Sequence, residues 1–89
     1  MPTQYYPFNT SQVSVSNTAV QLLPVNVARS GVNIINTGAV NVYIGNSASV
    51  TSSTGYPVIP NASIGFATTL SIYAITASSS ATVGILETQ

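Results

Sequence analysis

Cysteine, histidine, lysine, aspartate and tryptophan are absent from this 89-residue sequence, and its charged side chains number two, Arg29 and Glu87. Each absence removes a class of function. Without His, Cys or a second carboxylate there is no ordinary ligand set for a metal ion. Without His or Lys, and with one Glu, there is no acid–base pair and nothing to activate a serine. The sequence therefore predicts no catalytic residues, no cofactor, no metal site and no bound small molecule. One Arg cannot track a phosphate backbone, so nucleic acid is not an expected partner. Ser, Thr, Asn or Gln recurs every few positions, so no run approaches the ~18–20 apolar residues of a membrane helix. A membrane is not an expected partner either. The opening MPTQYYPFNT has neither the positive nor the apolar region of a secretory signal. The lack of cysteine leaves the redox compartment open.

What is there is apolar and hydroxylic. Hydrophobic residues make up 45% of the chain, and Ser, Thr, Asn and Gln contribute 36 more positions, so hydroxyls and amides hydrate the surface. A dispersed small protein usually carries a net charge of magnitude ~2–8, whereas the formal charge here is zero. A neutral surface tolerates close neighbours without repulsion or ion desolvation. It suits a part packed into an assembly. Abundant Val, Ile, Thr and Tyr argue against disorder.

The apolar periodicity is two nearly everywhere. Val13 and Val15, then Val40, Val42 and Ile44, then Leu70, Ile72 and Ala74, then Ala81, Val83 and Ile85 alternate with polar or small residues. Strict alternation places one set on a buried sheet face and the other outside. Turn residues punctuate the pattern at Asn17-Thr18, Pro24, Asn36-Thr37-Gly38, Gly45-Asn46, residues 52–55, Asn61-Ala62-Ser63 and residues 77–80. Pro57 and Pro60 bracket a short extended pair, Val58-Ile59. About eight short strands result, near 12–16, 19–23, 31–36, 40–44, 48–51, 63–68, 70–76 and 81–87. They predict an all-β chain, a compact antiparallel β-sandwich of jelly-roll type. The expected core is Val13, Val15, Leu23, Val32, Ile34, Val42, Ile44, Ile64, Phe66, Leu70, Ile72, Val83 and Ile85.

Residues 1–11 break the alternation and read as an N-terminal arm before a single domain at 12–89. The arm carries Tyr5, Tyr6 and Phe8. One reading folds it back on its own domain; the other docks its aromatics into a neighbour, because aromatics anchor interfaces. The undiluted aromatic cluster favours docking. Arg29 and Glu87 are either two unrelated surface groups or a pair that fixes register in a chain with no other ions. Tyr43, Tyr56 and Tyr73 are either ordinary strand residues or an aromatic platform for carbohydrate. The sequons Asn9-Thr10-Ser11 and Asn61-Ala62-Ser63 are better explained as arm and turn residues. A regular Thr-X-Thr ladder for ice binding is absent. Neutral alternating strands are an amyloid hazard at sheet edges, but Pro and Gly at turn positions argue for a closed domain.

Four linked segments carry a resemblance: TAVQLLPVNVAR (18–29), VNIINTGAVNVYIGNSASVT (32–51), STGYPVIPNASI (53–64) and SIYAITASSSATVGILE (71–87). Their landmarks are Arg29, Ile34 to Asn36, Val42 to Gly45, Val50-Thr51, Thr54-Gly55, Tyr73 to Ile75 and Val83 to Glu87. In order and spacing they are similar to small all-β structural proteins of tailed-bacteriophage virions. The resemblance covers residues 18–87, and this chain departs from it by its near-total lack of charge. It implies a virion component on the capsid exterior: a decoration (cement) subunit, or a head-fibre or tail-tip domain. The length and the Met1 start fit a stand-alone cement subunit better. On that reading the subunit forms a homotrimer, because icosahedral shells offer three-fold junctions, and the trimer binds the major capsid protein. The alternative is a host-recognition domain that binds surface glycans through Tyr43, Tyr56 or Tyr73. A third reading is a bacterial surface subunit that polymerises through its strand edges.

Overall fold

A computed structural model describes residues 7–89; Tyr5 and Tyr6 lie outside the described residues. Eight strands follow in chain order: β1 (Phe8–Val15), β2 (Val20–Leu23), β3 (Gly31–Asn36), β4 (Val42–Gly45), β5 (Tyr56–Val58), β6 (Ser63–Phe66), β7 (Ile72–Ile75) and β8 (Ala81–Thr88). They form two four-stranded sheets with spatial orders β1-β8-β3-β6 and β2-β7-β4-β5, antiparallel throughout. That alternation of the chain between two sheets is the jelly-roll arrangement.

Period-two patterning explains the packing. Val32 and Ile34 are buried while Asn33 and Ile35 are exposed, and Ala81, Val83 and Ile85 form the inward row of β8. With Val15, Leu23, Val42, Ile44, Val58, Ile72 and Ala74 they make one core shared by both sheets. Fully burying an aliphatic side chain stabilises by roughly 1.5–3 kcal/mol, so this shared layer is what holds the sheets together. The core also takes Leu22. A register irregularity between Gln21 and Leu23 turns both leucines inward, as a bulge allows.

The fold corrects several expectations. Leu70 is 51% exposed rather than core, because β7 begins only at Ile72 and Leu70 belongs to the preceding crossover. Val13, Ile64 and Phe66 are half-buried against the core rather than within it. Residues 48–51 are not a strand. Val50 is buried inside the β4–β5 loop, seated against Gly45 and Gly55, where an added Cβ would lie 2.7 and 2.9 Å from its Cγ2. The loop therefore closes on itself, and the strand forms later, at Tyr56–Val58. Finally, β1 begins at Phe8 rather than near residue 12, so residues 8–11 of the expected arm are sheet. Asn9 pairs with Glu87 and Thr10 with Leu86. Alternation could not reveal this half-strand, since Phe8 to Gln12 are exposed on both faces.

Candidate functional site

The inward row of β8 ends in a carboxylate. Glu87 continues the series Ala81, Val83, Ile85 and is buried beside Asn9 of β1 and Val32 of β3. Arg29, in the crossover from β2 to β3, donates from Nε to Glu87 Oε2 at 2.7 Å. Its Nη1 donates to the carbonyls of Thr68 (3.1 Å) and Leu70 (2.9 Å), and its Nη2 to that of Pro24 (2.6 Å). Asn26 Nδ2 donates to the same carboxylate oxygen at 3.2 Å, while Asn26 Oδ1 accepts the Ala28 N–H. One guanidinium therefore joins β8 to both crossovers at this end, β2–β3 and β6–β7. The fixed fork of donors suits Arg to that task, and Lys could not reproduce it.

The electrostatics follow from this geometry. The hydrogen bond from Arg29 holds the Glu87 carboxyl below its ordinary range, against the opposing effect of burial, with Asn26 and the Arg29 charge adding to the lowering. Asn36 does comparable work, without charge, at the other end of β3. It is fully buried, its Nδ2 donates to the carbonyls of Val40 and Val58 at 2.8 Å each, and its Oδ1 accepts the Gly38 N–H. Both ends of the sandwich are thus fastened by a buried polar side chain that reaches the crossovers. Among the described residues no buried side-chain nitrogen or oxygen lacks a partner.

Burying Arg29 and Glu87 has a consequence for the exterior. They are the sequence's two charged side chains, so the outer surface presents no ionised side chain at pH 7. What it presents includes large apolar groups: Phe8, Val25, Val27, Tyr56, Ile59 and Leu70 are each more than half exposed. Val25 and Val27 sit on the crossover that Arg29 and Asn26 hold rigid.

The tyrosines divide. Tyr43 and Tyr73 alternate with buried Ile44 and Ile72, share the outer face of the second sheet, and are half-buried; Tyr73 Oη accepts a long bond (3.5 Å) from Gln21 Nε2. Tyr56 instead stands opposite Ile44 and lines an apolar groove between the sheets with Ile64, Phe66 and Leu70. The three therefore do not make one platform. The groove holds about 360 Å³, within the size range of ligand sites but without their convergent charged or strongly polar groups. Phe8 lies on the outer face of the first sheet, along a diagonal with Leu86 and Ile35, each exposed. Among the described residues no three His, Cys, Asp or Glu side chains gather as a metal site. Among the described residues no helix is long and apolar enough to cross a membrane.

Comparison with known proteins shows the fold. The chain is similar to the stem and receptor-binding domain of the spike protein P1 from bacteriophage PM2, with a TM-score of 0.65 at 18% identity. That match covers 88% of this chain and 32% of the spike chain, so the chain spans about a third of that protein's length. It is also similar to a chain of the disulfide-linked pili described as Bacillus endospore appendages, with a TM-score of 0.55 at 14% identity over 99% of this chain and 90% of that one. These two likenesses are to a virion spike and to a bacterial appendage. The disulfide links of those pili have no counterpart in a chain without cysteine. No family model and no curated protein sequence matches.

Proposed function

We propose that this chain is a non-enzymatic structural module of an exposed protein assembly, a virion surface structure such as a spike, fibre or decoration layer, that works by packing against other subunits. The observation that carries this reading is the ion-free exterior: both charged side chains are buried in one clamp, and the surface is left to hydroxyls, amides and a set of exposed apolar residues. Such a surface forfeits electrostatic steering and charge-based solubility, and gains contacts that need no ion desolvation. Multiple weak neutral contacts then add through effective concentration. Likeness in fold to a phage spike and to an endospore appendage supports an exposed structural role.

Within this reading the spike or fibre role has better support than cement, because the PM2 match is to a stem and receptor-binding domain. Tyr43 and Tyr73 on one outer face are the aromatic surface such a domain would offer to a glycan. A homotrimer and contact with the major capsid protein remain expectations of the sequence resemblance. Quantitative mass spectrometry of purified particles tests the reading. Tens of copies per particle support a spike or fibre, hundreds support cement, and absence from particles contradicts a virion role.

A further inference from the structure

Each sheet has two edges, and three of the four edge strands are blunted. β5 is three residues long with Pro57 at its centre, β6 is four residues, and β2 is four residues with a register irregularity. Short strands, proline and bulges are the ordinary defences against edge pairing. β1 has none of them. It runs eight residues, Phe8–Val15, in unbroken register with β8, without proline and without charge. Its other edge is unpaired among the described residues, and Phe8 to Gln12 are exposed on both faces.

We infer that the free edge of β1 pairs antiparallel with β1 of a second copy, joining two four-stranded sheets into one of eight strands. This deepens the structural reading above by naming one partner and its site. The occupant is a second copy because β1 carries no charge. The strand is also complementary to itself: about an axis at Ser11 it sets Thr10 opposite Gln12, and about Gln12 it sets Thr10 opposite Ser14, polar side chain against polar side chain with no like ions opposed.

The pleat restricts the register. Residues opposite one another in an antiparallel pair point to the same side, so the axis must fall at a residue rather than between two. Complete overlap of Phe8–Val15 would centre between Ser11 and Gln12 and is forbidden. The axis therefore lies at Ser11 or at Gln12, and that residue faces its own copy.

The cysteine-free chain makes the test direct. Ser11→Cys and Gln12→Cys are oxidised in parallel with Ser63→Cys on β6. One of the first two should form a disulfide dimer at least about tenfold faster than the control, as proximity across an axis requires. Equal rates at all three positions would overturn the inference. As a second measure, Thr10→Lys with Gln12→Lys should abolish self-association, and mixing it with Thr10→Glu plus Gln12→Glu should restore a one-to-one dimer. Failure of the mixture to associate, or a wild-type trimer or monomer at concentrations up to about 1 mM, would also overturn it. A monomer still found on particles removes this inference alone and leaves the structural role standing.

Discussion

Arg29 Nε lies 2.7 Å from Glu87 Oε2, and neither side chain reaches solvent to any useful extent, with exposures of 0% and 9%. The pair joins a crossover to the inward row of β8 and takes the protein's ionised side chains out of its surface. A buried pair of this kind adds little over an apolar substitute, yet breaking it leaves one uncompensated charge. Arg29→Met should therefore destabilise by about 3–5 kcal/mol, with the carbonyls of Pro24, Thr68 and Leu70 losing their donor as well. Urea unfolding checks this, and a loss below about 1 kcal/mol would show that the clamp is dispensable.

Stability should depend on pH in one place. The carboxyl of Glu87 is held low in the folded state, so its contribution is fully present above the unfolded carboxylate range. It is lost as pH falls through the lower, folded value. With no His and no other acidic side chain, urea midpoints should stay flat from about pH 5 to pH 8 and fall below about pH 4. Glu87→Gln should remove the acidic fall along with part of the stability.

Asn36→Ala should cost about 2–3 kcal/mol. It strands the Val58 carbonyl inside the protein and takes the partner from the half-buried Val40 carbonyl and Gly38 N–H, and a fully buried unsatisfied group costs on the order of 1–3 kcal/mol. The thermal midpoint should fall accordingly; an unchanged midpoint would mean that water replaces the amide.

Gly45→Ala should destabilise although the added group is one methyl. Its Cβ would lie 2.7 Å from Val50 Cγ2, and overpacking of this kind costs about 1–3 kcal/mol. Combining it with Val50→Ala removes the contact with Cγ2 and leaves the one with Val50 Cβ at 2.9 Å, so the double variant should lose less than the sum of the two single costs. Strict additivity of the two costs would contradict the plugged-loop geometry.

Much of the sandwich was legible because burial follows alternation wherever a strand has one wet face, as at Val32 and Ile34 or Val83 and Ile85. Three features were not. The first half of β1 is polar and wet on both sides, so it carries no alternation and is defined by pairing with β8. β5 contains a proline and follows a loop folded around Val50, a contact that depends on two glycines ten residues apart. The Arg29–Glu87 pairing could be anticipated from two opposite charges in a neutral chain. Their burial, and the carbonyls that Arg29 gathers, follow from the jelly-roll topology that brings both crossovers to one end. Tyr56 parts from Tyr43 and Tyr73 because β5 sets it opposite buried Ile44, on the other face of the same sheet.

The central claim is that an exterior without ions serves packing against other protein subunits, the chain's own copies included. Sedimentation of the purified protein over a concentration series, at about 20 mM and about 1 M NaCl, tests it most directly, because surface ion pairs are screened across that range and apolar or backbone contacts are not. The account predicts a mass that rises with concentration to a dimer, with the same midpoint or a slightly tighter one at high salt. An association that dissolves as salt is raised would contradict it, and so would a chain that stays monomeric throughout and is absent from particles.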